Sequence, residues 1–383
     1  MTGIYFLVIS KNRQDISNLI SIDNFNITNN VSNISSSPAS TQWEIVEVAQ
    51  GLFVPWSIVF TSENRALVSE RNGKIRMLLN NKIQADALYS FSDVISDSGN
   101  EEGLMGLAID PNYTENKFVY ACYASRSTRK ILNRIVRFTD TNEKLNLDKV
   151  ILDNIPSAEL HAGCELGFGP DGKLYITTGD AGNKENAQDL ASLAGKILRI
   201  NSDGTTPEDN PFPNSPVYTL GHRNSQGISW AANGTMISSE HGPSGFDGPR
   251  GGDEINIIKK GANYGWPRVS HDKTDPQFET PKKVFTPAIA PSSILVYSGK
   301  MFPEFKNRVF VSGLVGTGLY SITFEDETFV KILDAAKIQQ VDFGRIREVT
   351  ESPSGEIYIS TSNRDGRGSP KANDDRIYKI KKR

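Results

Sequence analysis

From Trp43 onward the chain folds back on itself six times, an apolar strand running into a short turn rich in Asn, Asp, Gly, Pro or Ser and returning as a second strand. The pairs run from Trp56 to Glu70, Leu104 to Tyr123, His161 to Asp180, Gly227 to Glu240, Ile294 to Ser312 and Arg347 to Ser360. A further strand-like run follows each: Lys74 to Leu78, Arg134 to Phe138, Lys196 to Ile200, Glu254 to Ile258, Gly318 to Phe324 and Arg376 to Ile380. Runs of Val, Ile, Tyr and Phe bounded by turn residues are strand signals, and no long stretch has the 3.6-residue periodicity of an amphipathic helix. Six such units, roughly fifty to seventy residues apart, predict an all-β chain folded as a six-bladed β-propeller of four-stranded antiparallel blades. A double β-sandwich is the second architecture the pattern allows.

The first forty residues have a different character. Gly3 to Ser10 is an apolar run without a basic flank or a small-residue cleavage site, and it is too short to span a bilayer. Asn24 to Ser40 is dominated by Asn, Ser, Thr and Ile, as in a linker. We therefore expect residues 1–40 to be the remnant of a signal or anchor plus a linker, residues 41–383 to be the propeller, and the protein to be extracytoplasmic without a stable membrane span. Lys and Arg number 42 against 45 Asp and Glu, which leaves no cationic excess for a phosphate-binding surface and argues against nucleic acid as a partner. Cys122 and Cys164 are too few for a disulfide framework; a single bridge between them is open and not fixed by the sequence.

The third hairpin, HAGCELGFGPDGKLYITTGD, has a chemical end. With its turn centred between Pro170 and Asp171, His161 falls opposite Asp180, and a carboxylate beside an imidazole fixes the tautomer a general base needs. A polar edge pair satisfies the same pattern. In a propeller, the residues just before each first strand converge on one mouth of the central channel. Here these are Pro55, Glu101-Glu102, His161, Arg223-Asn224, Pro291-Ser292, and Arg345 with Arg347. A rim carrying a histidine, three arginines, an asparagine and carboxylates suits an anionic small molecule. In the fourth unit Arg223-Asn224 is expected opposite His241-Gly242, followed by a Gly/Pro-rich loop with acidic neighbours. Exposed carbonyls of that kind suit Ca²⁺, whereas His222, His241 and His271 lack zinc-ligand spacing.

Several long motifs occur in the order found in one family: HAGCELGFGPDGKLYITTGD, GKILRINSDGTTPEDNPF, LGHRNSQGISW, EHGP followed by GGDEINIIKKGANYGWP, and GRIREV. The chain from Trp43 to Lys381 resembles the soluble pyrroloquinoline quinone (PQQ) dependent sugar dehydrogenases, most closely the aldose sugar dehydrogenase branch. That resemblance implies PQQ held over the channel by Ca²⁺ and oxidation of aldoses at the anomeric carbon to lactones. His161 matches the general base, Asp180 its orienting partner, and Arg223 the group that stabilises the developing oxyanion. Asn224, Arg345 and Arg347 match cofactor contacts, Gly242 and Pro243 the carbonyl ligands of the bridging Ca²⁺, and Glu254 and Tyr264 ligands of a second, structural Ca²⁺.

Two positions depart from the family pattern. Glu101 stands where a cofactor-touching glutamine is usual, and no lysine occurs near Val315, where glucose-oxidising relatives have one. Two dispositions are open at Glu101: a carboxyl turned toward a basic group, where it is harmless, or one that weakens PQQ binding as it ionises between mildly acidic and neutral pH. The partners implied are an aldose and an unidentified electron acceptor, with the chain a monomer or homodimer. Two other readings belong to the same architecture: a Ca²⁺-dependent lactonase, and an extracellular binding protein without turnover.

Overall fold

The computed structural model describes residues 42–127, 130–306 and 308–383, so the signal or anchor and linker expected over 1–40 lie outside the described residues. Residues Gln42–Arg383 form one compact unit. It contains six sheets of four antiparallel strands each, a six-bladed β-propeller as the repeat pattern predicts.

Blade one is β2 (Pro55–Ser62), β3 (Arg65–Glu70), β4 (Lys74–Leu79) and β5 (Lys82–Ser90). Blade two is β6 (Leu104–Ile109), β7 (Phe118–Ser127), β8 (Lys130–Asp140) and β9 (Leu145–Ser157). Blade three is β10 (Leu166–Phe168), β11 (Leu174–Thr177), β12 (Lys196–Ile200) and β13 (Val217–Leu220). Blade four is β14 (Ser225–Trp230), β15 (Met236–Glu240), β16 (Asp253–Ile258) and β17 (Lys283–Phe285). Blade five is β18 (Pro291–Val296), β19 (Arg308–Gly313), β20 (Gly318–Phe324) and β21 (Ile332–Lys337). Blade six is β22 (Ile346–Glu351), β23 (Ile357–Thr361), β24 (Ile377–Lys382) and, at its outer edge, β1 (Trp43–Ala49) from the other end of the described chain.

The first strands form the inner ring: β2, β6, β10, β14, β18 and β22 each touch the next, and β22 returns to β2. The apolar core divides accordingly into six clusters, one between each pair of neighbouring blades. Alternation explains this, because successive strand residues face opposite sides of a blade and each side meets a neighbour. Ile176 and Leu198 pack toward blade two, whereas Tyr175 and Ile197 pack toward blade four.

Two features of the inner strands shape the channel mouth. Five of the six carry a register shift at the same place, near their start: Pro55/Ser57, Leu104/Leu107, Ser225/Gly227, Pro291/Ile294 and Ile346/Glu348. A bulge inserts a residue and re-aims its side chain, and the residues so displaced include Trp56, Gln226 and Arg347, which line one cleft. The inner strand of blade three has no such bulge, because its ladder stops early, at Leu166 opposite Ile176.

The register there differs by one residue from the expected one: Phe168 pairs with Leu174, so the turn centres on Asp171, with the Gly172 N–H donating to the Gly169 carbonyl. In blade four the expected facing holds: beyond a bulge at Gln226, Asn224 lies opposite His241, and its carbonyl accepts the His241 N–H. Cys122 of β7 and Cys164 just before β10 form a disulfide with Cα atoms 6.3 Å apart, joining blades two and three.

Candidate active site at the channel mouth

His161 lies in the irregular segment leading into β10, at φ +58°, a conformation uncommon for residues with a Cβ. Its neighbour across the mouth is the stretch after β11, and Gly179 permits the approach: a Cβ there would sit 2.0 Å from the His161 carbonyl oxygen. His161 Nδ1 lies 2.7 Å from Asp180 Oδ1, and both side chains are buried. The contact therefore comes from two chain segments leaving a short ladder, and not from a paired position within it.

Asp180 accepts three hydrogen bonds. Oδ1 takes the Gly182 N–H at 2.9 Å as well as the imidazole, and Oδ2 takes the Trp266 indole N–H at 2.9 Å. These fix the carboxylate, which in turn selects the tautomer with the proton on Nδ1 and the lone pair on Nε2. Among the described residues, Nε2 has no protein partner, so the basic nitrogen is available to a ligand.

Arg223 is held from several sides. Its N–H donates to Glu240 Oε1, its Nε to Asp247 Oδ2 at 2.7 Å and its Nη2 to Ser244 Oγ at 3.0 Å, with the guanidinium 5.6 Å from the Trp266 ring centroid. Asn224 is buried and connects two parts of the mouth: its Nδ2 donates to Glu101 Oε2 and its Oδ1 accepts from Gln226 Nε2, both at 3.0 Å.

Beside the dyad lies a cleft whose lining includes Trp56, Glu101, Gln226 and four arginines, Arg71, Arg345, Arg347 and Arg367. Asp365 engages Arg345 through Nε at 2.8 Å and Nη2 at 2.7 Å. Arg347 is buried with its guanidinium 5.3 Å from the Trp56 ring centroid, and among the described residues that guanidinium's one hydrogen bond runs from Nη1 to Gln226 Oε1 at 3.2 Å. Its Nε is buried without a partner, as are Arg71 Nε and His241 Nε2. Burial pulls the Arg347 guanidinium down to about 10, with Asp365 opposing and Arg71 and Arg345 reinforcing the shift. A cleft with surplus guanidinium charge, orphaned donors and a flat indole fits a planar polycarboxylate. PQQ, a planar tricarboxylate quinone, has that chemistry.

Glu101 takes the first of the two dispositions open to it, turned toward donors. Its Oε2 accepts the His161 N–H at 2.9 Å as well as the Asn224 amide, and its Oε1 faces Arg367 Nη1 at 3.5 Å. Burial alone would raise its pKa, but His241, His161, Arg367 and the Asn224 amide outweigh burial and hold it down to about 2. The carboxyl is therefore ionised throughout the mildly acidic to neutral range, turned toward donors, and does not switch there.

Gly242, Pro243, Glu254 and Tyr264 line a single small cavity, together with Glu240 and Trp266. Gly242 is required sterically, since a Cβ would lie 2.2 Å from the Gly251 carbonyl oxygen. Glu254 pairs across strands with Glu240, and burial, with Glu240 adding to it, raises its pKa. A cation beside this pair would relieve the repulsion. The Tyr264 hydroxyl is already committed, donating to the Ile257 carbonyl at 2.7 Å and accepting the Lys259 N–H at 3.0 Å, so only its backbone carbonyl is a candidate ligand. Among the described residues no three His, Cys, Asp or Glu side chains are grouped as a metal cage, so a cation here would rely on main-chain oxygens.

Reading only the approaches to the first strands misses Arg71, Asp365, Arg367, Trp266 and Asp247. Arg71, Asp365 and Arg367 follow second strands, which run antiparallel to the first and so end at the same mouth. That geometric rule is the signal that could have found them.

Fold and mouth together define a six-bladed β-propeller with an arginine-lined small-molecule site at its channel mouth. The chain matches the Glucose / Sorbosone dehydrogenase family over residues 52–370 and belongs to it. It is similar to a Thermus thermophilus oxidoreductase described as a glucose dehydrogenase, with 37% identity, coverage of 88% of this chain and 99% of that one, and a TM-score of 0.81. It is also similar to the PQQ-bound aldose sugar dehydrogenase of Streptomyces coelicolor, with 33% identity, 88% and 98% coverage, and a TM-score of 0.78. Quinoprotein glucose dehydrogenase B of Acinetobacter calcoaceticus is 32% identical over 259 residues, which cover 60% of this chain and 53% of that protein.

Proposed function

We propose that this protein oxidises aldose sugars at the anomeric carbon to lactones, using PQQ and Ca²⁺, with His161 as general base. The observation that carries the reading is the buried Arg347, with an orphaned Nε, in an arginine-lined cleft at the same mouth as the His161–Asp180 dyad. When bound, PQQ supplies an ortho-quinone that accepts the hydride, and Ca²⁺ polarises it.

The chain's own residues do the rest. His161 Nε2 takes the proton of the anomeric hydroxyl, and Asp180 stabilises the imidazolium that results. Arg223, fixed by Asp247 and Ser244, presents positive charge where an oxyanion develops. Arg345, Arg347 and Asn224 would hold the cofactor, with Gly242 and Pro243 carbonyls on the bridging Ca²⁺ and Glu254 with the Tyr264 carbonyl on a structural one. The Cys122–Cys164 bridge supports an extracytoplasmic location, because such bonds persist in oxidising compartments. No described helix is long and apolar enough to cross a membrane.

The test is reconstitution of purified apoprotein with PQQ and Ca²⁺, separately and together, followed by an aldose panel with an artificial electron acceptor. Turnover requires both additions. Lactone hydrolysis with Ca²⁺ alone, or no reaction under any condition, refutes the proposal.

A further inference from the structure

The loop between β15 and β16 places an aromatic side chain in water next to the dyad. Phe246 remains 66% exposed, yet its ring stacks offset over the His161 imidazole, with centroids 6.0 Å apart and planes inclined by 23°. Exposed phenylalanine forgoes the burial that ordinarily positions it, so something else must hold it here.

The adjacent residue does. Asp247 Oδ2 accepts Arg223 Nε at 2.7 Å, and its Oδ1 accepts the Ser244 N–H at 2.9 Å, while Ser244 Oγ accepts Arg223 Nη2 at 3.0 Å. Asp247 is half-buried, and although burial raises its pKa, the Arg223 and Ser244 hydrogen bonds outweigh this and lower it, so the grip is ionic at neutral pH. The loop tip is thus anchored to the arginine of the site, and the anchor presents the face of Phe246 alongside the imidazole.

We propose that Phe246 is the platform on which the sugar ring of the substrate stacks, and that Asp247 is the positioning residue that holds this platform and Arg223 in register. The inference rests on the aldose-oxidising reading of the mouth and deepens it by naming the substrate class. An aromatic face carries partial negative charge, and the axial C–H bonds of a pyranose form a flat, weakly positive face that complements it. The platform therefore selects cyclic pyranoses over open-chain carbonyl substrates, which present no such face.

The experiment measures binding apart from turnover. 1,5-Anhydroglucitol keeps the pyranose ring but lacks the anomeric hydroxyl, so it cannot be oxidised there. Its affinity for protein reconstituted with PQQ and Ca²⁺ is measured by titration calorimetry, with PQQ content checked by absorbance. Phe246→Ala is expected to raise the dissociation constant about three- to tenfold, the scale of one aromatic contact, with Phe246→Trp retaining wild-type affinity. Asp247→Ala should weaken binding similarly, and Asp247→Asn, which keeps a hydrogen-bonding group, should recover part of the loss. Equal affinity in wild type and Phe246→Ala, or no binding of the analogue by a wild type that oxidises glucose, overturns the platform. Binding that depends on Phe246 in a protein that oxidises no aldose supports the platform and refutes the aldose reading instead.

Discussion

Asp180→Asn is the most discriminating single change, because it removes a charge while nearly preserving shape. The native carboxylate faces three donors: His161 Nδ1 and the Gly182 N–H on Oδ1, and the Trp266 indole on Oδ2. Asparagine has one oxygen and one NH₂. With its oxygen toward His161, the amide NH₂ meets the indole N–H, donor against donor. In the flipped orientation the NH₂ faces Nδ1, which can accept only if the imidazole proton has moved to Nε2, where the base should be empty. Either arrangement loses a charge-assisted hydrogen bond and leaves a buried donor unmet, so stability should fall by roughly 2–4 kcal/mol. Turnover should fall by about 10² to 10⁴, the contribution of a positioned general base. The assay combines steady-state turnover at saturating PQQ and Ca²⁺ with chemical denaturation and PQQ absorbance, so that lost cofactor is separated from lost catalysis. Turnover within about threefold of wild type in fully loaded Asp180→Asn would refute the tautomer argument.

His161→Gln should lower turnover by about 10² to 10⁴ while PQQ binding is largely retained; near wild-type rates at saturating cofactor would remove His161 as the base. Chelation should release PQQ along with Ca²⁺, read by absorbance after gel filtration, and PQQ that stays bound after exhaustive Ca²⁺ removal would contradict a bridging ion. Glu101→Gln tests the sign of a pKa shift. Because the folded-state value is depressed to about 2, the carboxylate's contribution to stability is present above the unfolded value and lost as pH falls through the folded one. Wild type should thus exceed Glu101→Gln in stability by a constant amount above about pH 5 and lose that margin toward about pH 2, measured by denaturation at several pH values. PQQ affinity should show no Glu101-dependent step between mildly acidic and neutral pH.

The blades were legible because a hairpin is a local event: two apolar runs and a turn lie within one stretch of chain. The partner of β24 was not, since Ile45 pairs with Ile380 and nothing local to either residue announces the other. Bulges fall between these cases. Arg347 could be named from its motif, but its placement beside Trp56 and Gln226 depends on a one-residue slip in β22 that the alternation of Ile346, Arg347 and Glu348 does not reveal. The closeness of His161 and Asp180 was readable, although through an incorrect register, because any hairpin brings its two ends together. Asp247 was invisible for the opposite reason: a Gly/Pro-rich loop has no periodicity from which the aim of a side chain can be worked out.

The outer edge of blade six has a consequence for how this protein comes to work at all. Strand β1 closes the ring against β24, and the last blade also supplies Arg345 and Arg347. During synthesis the first five blades can form in order, but the disc stays open until the residues of β24 have emerged. The histidine of blade three thus exists long before the arginines that complete its surroundings. A chain stalled before blade six would keep the dyad's residues yet lack both the clasp and the cleft residues Arg345, Arg347, Asp365 and Arg367, so competence to bind in the cleft reports that the last blade has formed and closed the ring.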